Sequence, residues 1–161
     1  MTMTEQPLSA SPLQIERHEF LEIAVKASEQ ENPHDVLSLT FHRQWAQADK
    51  EPRRWRMELT IRFGGEKDGK ESTYTGLLKV AGYFAVVEQY PEDKMAELIQ
   101  ITGASILYGA CREMLANLTA RGPRGMVSLP SVSFVPPPTA SKSQKPAPKK
   151  ALPKIPRATK L

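Results

Sequence analysis

The residues that could do chemistry in this chain are few, and each has a plainer structural explanation. Gly64-Gly65-Glu66-Lys67-Asp68-Gly69-Lys70 has the G-x-x-x-x-G-K spacing of a phosphate-binding loop. Such a loop needs Ser or Thr next, to hold magnesium, and then a helix whose N-terminus faces the phosphates. Glu71 follows instead and the chain continues as strand-like sequence, so Asp68-Gly69 reads as a hairpin turn that requires positive φ. His18, His34 and His42 lie in separate segments without the i, i+4 pairing of a helical metal motif, and no metal site is expected. Cys111 is the single cysteine, which rules out an internal disulfide and a cysteine-based zinc site. It falls in a helical stretch where the nearby cation, Arg112, points elsewhere, so a buried thiol is expected rather than a nucleophile. Glu16, Glu19 and Glu22 share one strand; paired acids can do general acid–base work, but an exposed polar face explains them equally well. No nucleophile and base can be assembled, so neither an enzyme nor a cofactor is expected.

Charge is the remaining chemical signal, and it is unevenly placed. The net +4 of the 161 residues hides a division. Residues 136–161 carry Lys142, Lys145, Lys149, Lys150, Lys154, Arg157 and Lys160 without one acid, and seven of the 14 prolines. The rest of the chain holds 15 basic against 18 acidic residues and is mildly acidic. Seven cations could engage nucleic acid or an acidic surface, but the tail has no aromatic residue for base stacking. A solubilising, disordered Pro/Lys-rich tail is the plainer reading.

Those groups must be positioned by the elements between the two ends. Residues 1–12 read as a disordered leader, with neither the basic start nor the apolar core of a secretory signal. No run approaches the roughly 18 apolar residues of a membrane span, so no membrane insertion is expected. Leu13, Ile15, Leu21, Ile23 and Val25 fall on one parity, as a half-buried strand requires. Val36 to His42 reads as a second strand, with Leu37, Leu39 and Phe41 on one face. The third is the clearest: Trp55, Met57, Leu59, Ile61 and Phe63 alternate with Arg56, Glu58, Thr60 and Arg62. A fourth spans about Thr73 to Glu88. Strands joined by short turns imply an antiparallel sheet. Asp93 to Gln100 reads as a short helix, and Gly103 to Arg121 as a long one with apolar residues at three- and four-residue steps. The plan is α+β, and one long helix cannot cover a four-stranded sheet, so self-association is expected.

At this point several segments resemble the SecB family of protein-export chaperones. The run LLKVAGYFAVVE, then YPEDKMAELI, then GASILYGACREMLANLTARG with VSLPSVSF after it, is similar to that family's last strand, helix and following loop. LQIERHEFLEI sits where its first strand begins. The likeness covers about Leu13 to Phe134 and is strongest from Leu78.

The resemblance implies a SecB-like domain over residues 13–135 and a cytoplasmic homotetramer, a dimer of dimers, whose long helices pack across the interface. It implies a holdase that uses no ATP, binds unfolded precursor proteins in apolar grooves and delivers them to the motor SecA for translocation. Groove candidates on the elements that family uses are Phe41, Tyr83, Phe84, Leu129, Val132 and Phe134. Candidates for pairing between subunits are Ile106, Leu107, Ala110, Leu115 and Leu118. Glu22 fits one acidic SecA contact, whereas Lys26 and Leu77 stand where further acids are expected. Pro136-Pro137-Pro138 forbids the helix that usually follows and lids the groove. A chaperone dedicated to one client such as an antitoxin, or a nucleic-acid-associated protein acting through its tail, are the alternatives.

Overall fold

A computed structural model describes residues 8–30 and 38–136; the first seven residues, the 31–37 stretch with His34, Val36 and Leu37, and the tail beyond Pro136 lie outside the described residues. Four strands build the main sheet: β1 (Leu13–Ala27), β2 (Leu39–Gln47), β3 (Arg54–Phe63) and β6 (Tyr74–Val86). Their order is β1-β6-β3-β2 with every pair antiparallel, the Greek-key arrangement in which the first strand returns to lie beside the last. The glycine-rich segment is a hairpin, as its sequence predicts. Two-residue strands β4 (Glu66–Lys67) and β5 (Lys70–Glu71) flank Asp68 and Gly69, both at positive φ (53° and 73°), the requirement of a type I′ turn.

The two central strands carry the core because each is paired along both edges and the helical region covers one of their faces. On β3, Met57, Leu59, Ile61 and Phe63 are buried and face Gly82, Val80, Leu78 and Gly76 of β6. The helical region lies on that face. A 3-10 turn (Glu92–Lys94), α1 (Met95–Leu98), a π turn (Ile99–Gly103) and α2 (Ala104–Thr119) succeed one another without a break. The two helices expected from the sequence are therefore one. Gly103 keeps helical torsions, φ −59° and ψ −46°, so the chain passes through it without a turn. Gly82 is where helix and sheet approach most closely: a Cβ there would sit 2.7 Å from Leu107 Cδ2 and 2.8 Å from the Phe84 ring. Ala104, Leu107, Tyr108, Cys111, Leu115 and Thr119 form the buried stripe of α2.

The long first strand departs from simple alternation. Its register against β6 slips between Ile15 and Arg17 and again between Phe20 and Glu22. Each bulge inverts the facing of the residues beyond it, so His18 and Phe20 oppose Gly82 and Val80 on the helix side. Phe20 packs against the core, while Leu21 is exposed.

The other face of the sheet has no helix, and charge replaces packing there. Glu58 in mid-β3 is 8% exposed. Lys79 Nζ lies 3.1 Å from its carboxylate, Gln44 Nε2 donates at 2.8 Å, and the Arg56 guanidinium is hydrogen-bonded to it. Burial alone would push this carboxyl up, but the donors from Lys79, Arg56 and Gln44 outweigh it and hold the group down at about 2.

Stability should respond on both faces of the sheet. Leu107→Ala empties the tightest contact between layers and should cost about 2–5 kcal/mol, seen as a lower urea midpoint at unchanged m-value. Glu58 has a lowered folded-state pKa, so its contribution is complete above the ordinary carboxylate range and is lost as pH falls toward about 2. The gap in unfolding free energy between the natural chain and Glu58→Gln should thus be large at about pH 6 and shrink by about pH 2.5. An unchanged gap on acidification would show that Glu58 is not the ionised hub of that face.

Candidate functional site: an apolar groove beside strand β2

α2 covers β3 and β6 and leaves both sheet edges to other groups. On the β2 side the gap is filled by the chain that comes after the helix. Val127 donates its N–H to Thr119 Oγ1 (2.9 Å), Arg112 Nε donates to the Leu129 carbonyl (3.0 Å), and Tyr108 Oη donates to the Pro130 carbonyl (2.6 Å). These bonds lay the segment Met126–Pro136 along the helix, with Leu129 and Phe134 turned inward. Phe134 stands edge-on between Phe41 of β2 (ring centres 5.2 Å apart) and Tyr108 of α2 (5.8 Å).

What remains open is a broken strip of large apolar side chains, on β2 to one side of Phe134 and on the post-helical segment to the other. Phe41, Trp45, Val132 and Val135 are 51%, 37%, 38% and 60% exposed. Phe41, Arg43 and Trp45 oppose Ile61, Leu59 and Met57, so all three lie on the helix side of the sheet, at its rim. Beside the strip runs the outer edge of β2, which pairs with no other strand among the described residues. Its nine residues keep unbroken register with β3 and contain neither proline nor lysine, the usual devices that blunt an edge. The opposite edge, β1, carries two bulges.

The structure sorts the residues expected from the sequence. Phe41 and Phe134 come together here, Val132 lies beside Phe134 on its α2 side, and Leu129 and Phe134 serve as the floor. Phe84 has no exposed surface and belongs to the core. Tyr83 lies on the other side of the sheet, where its hydroxyl donates to Glu19 (2.9 Å) and the Arg17 guanidinium stacks 4.1 Å over its ring. The adjacent Tyr83 and Phe84 cannot share a face, because neighbouring strand residues point in opposite directions. Trp45 and Arg43 were missed because strand two continues to Gln47 beyond the expected end at His42. The alternation of Phe41, Arg43 and Trp45 is the signal for it, hidden by a charged residue on the apolar side.

The helix candidates divide as well. Leu107 and Leu115 are fully buried against their own sheet and have no surface to offer a partner. Ile106, Ala110 and Leu118 lie along the flank toward β1, where Met114, His18 and Phe20 line a furrow with Ala110 and Ile23 borders another with Leu118. Cys111 is buried, and burial pushes its thiol up to about 12, which keeps it protonated and unreactive at neutral pH. Burial also raises the Tyr108 phenol.

A larger cleft, about 510 Å³, lies at the end of the sheet between Arg17, Arg54, Trp55 and Tyr83. Its cations are already paired, Arg54 with Glu51 (2.6 Å) and Glu16 (3.5 Å), and Arg56 with Glu58. The groove beside β2 is the better candidate, because it combines exposed aromatic area with a strand edge that is unpaired among the described residues. Among the described residues no group of three or more His, Cys, Asp or Glu could hold a metal, and no helix is long and apolar enough to cross a membrane.

Comparison with known proteins supports the same architecture. No family profile matches the chain, and no curated protein matches it. A SecB-like chaperone of Mycobacterium tuberculosis, solved in complex with a ChAD peptide from the HigA1 antitoxin, is similar in structure: TM-score 0.58 at 16% identity, covering 75% of this chain and 91% of that one. A protein of unknown function from Streptococcus agalactiae aligns with TM-score 0.40 at 15% identity, covering 76% of this chain and 100% of that one. The four-stranded antiparallel sheet with its C-terminal helix is a SecB-like fold.

Proposed function

We propose that this chain is a holdase chaperone that binds unfolded polypeptide in the groove beside β2 without consuming nucleotide. The observation that carries the reading is the pairing of exposed Phe41, Trp45, Val132 and Val135 with a regular strand edge that no described strand occupies. An unfolded chain exposes apolar side chains and free backbone amides together. A strip of this kind takes the first by burial, and an open edge takes the second by strand addition.

A holdase dedicated to one client is favoured over a general export factor by two observations. The similar M. tuberculosis chaperone was solved with a peptide from an antitoxin. On the outer sheet face, where the SecB resemblance implies acidic SecA contacts, Glu22 lies opposite Lys79, and Lys26, Arg54, Arg56 and Arg62 crowd the same side. That face is poorly suited to an acid-seeking partner. Self-association through the α2 flank of Ile106, Ala110 and Leu118 belongs to the same reading, as does a chaperone domain over residues 13–135 with the basic tail as an appendage.

The double substitution Phe41→Ser/Trp45→Ser should leave the fold intact, since both rings are already half in water. It should weaken capture of an unfolded client by about tenfold or more, from roughly 1.5–3 kcal/mol for each large apolar side chain fully buried. Light scattering of an aggregating client, with melting temperature as the folding control, reads this directly. If the natural chain runs as a monomer on a sizing column and the client aggregates at its unassisted rate, the holdase reading is wrong.

A further inference from the structure

Two guanidinium groups border the apolar strip, and neither has a carboxylate partner among the described residues. Arg43 lies at the middle of β2, its Cζ 5.8 Å from the centre of the Phe134 ring and 6.0 Å from that of Trp45. It is fixed there by one bond, from Nη1 to the carbonyl of Gln100 in the π turn (2.5 Å). Arg112 lines the furrow on the other side of Phe134 with Tyr108 and Val132, and is fixed through Nε to the Leu129 carbonyl. Of the other described arginines, Arg17, Arg53, Arg54 and Arg56 each reach a glutamate, while Arg62, Arg121 and Arg124, which also lack an ion pair among the described residues, lie away from the strip.

We propose, building on the holdase reading, that the groove selects extended guest segments that set Asp or Glu among apolar residues, and that Arg43 is the residue that determines this specificity. A guanidinium offers five N–H donors, and the Gln100 carbonyl engages one of them. A guest laid over Phe41 and Trp45 covers this cation and removes its water. Covering an unpaired charge is costly, whereas covering it with a carboxylate forms a charge-assisted, bidentate bond. Lysine or arginine at the same point of a guest would add like charge in a medium that strengthens the repulsion. The same physics bears on the chain's own tail. Residues 137–161 hold seven cations and no acid, the charge sign that such a groove would reject.

The test uses the full chain and three labelled peptides of about nine residues. All share one alternating Leu/Phe/Ser frame and differ only in a central Asp, Gln or Lys. Anisotropy should rank them Asp tightest and Lys weakest, with about tenfold between the two, narrowing as salt rises. Arg43→Gln should collapse that ranking, with the Gln peptide binding no more weakly than it does to the natural chain because the cost of covering the cation is gone; Arg43→Lys, which keeps the charge, should preserve the order. Melting curves of both variants monitor the loss of the bond to Gln100. An unranked set, a Lys peptide that binds best, or a ranking that survives Arg43→Gln overturns the inference alone. Failure of all three peptides to bind overturns the holdase reading beneath it. Displacement of the Gln probe by a peptide of residues 137–161 makes the tail the occupant and overturns the selectivity proposed here.

Discussion

The close seating of α2 on the sheet at Gly82 is the constraint from which the rest of this structure descends. With no Cβ at that position, Leu107 drops to the strand backbone and the helix comes to rest over β6 and β3. One helix is about 10 Å across and strands are spaced about 4.8 Å apart, so a helix so placed covers two strands of four. Both edge strands are left with apolar rims that the chain must finish by other means. On the β2 side the finish comes from the post-helical segment through Leu129 and Phe134. On the β1 side it comes from Phe20 and the flank of α2, and Leu118 and Ile23 remain open there.

The uncovered face solves a different problem. A sheet without a second layer needs a surface that water accepts without letting the strands slip. Arg56, Glu58 and Lys79 on adjacent strands, with Gln44 and Tyr83 at their margins, tie β2, β3 and β6 across the register. Because Glu58 is screened from solvent by its own partners, the network holds register more firmly than the same charges would if fully exposed. It also commits the middle of that face, where Arg56, Glu58 and Lys79 are used on one another. In the groove the position is reversed, with rings exposed and guanidiniums anchored on carbonyls.

Alternation made the inner strands legible in the sequence, because β3 and β6 obey a strict period of two while packed on one side. The glycine-rich hairpin was legible for the same local reason: Asp68-Gly69 needs positive φ whatever surrounds it. The edges were harder to read. In β1 two bulges break the period, so Phe20 looked like an outward residue and Leu21 like an inward one. In β2 the inward side holds Arg43 between Phe41 and Trp45, and a cation at a core-parity position looks like the end of a strand. The boundary between two helices was misread at Gly103, where helical torsions continue through a π turn that no residue type announces. The candidate site was half visible: Phe41, Val132 and Phe134 stood out as aromatic or apolar residues near the ends of elements. Which of them faced one another depended on the path of the post-helical segment, set by Thr119, Tyr108 and Arg112 bonds to backbone carbonyls and amides that leave no sequence period.

That path carries a consequence for how a guest is held. The post-helical segment occupies the position between helix and edge strand that any apolar polypeptide would seek, and it is anchored by side-chain bonds from the helix rather than by a strand ladder. It seals the core with Leu129 and Phe134, residues from the interior of the segment, while Val132 and Val135 point away from that seal. One short stretch thereby separates two duties, since its inward residues close the fold and its outward residues extend the greasy rim of β2. On the proposed holdase reading a guest would lie on a floor that is already buried, without opening the core. The ordering cost of binding would then fall on the guest, which is the condition under which a shallow groove can retain an unfolded chain and still release it.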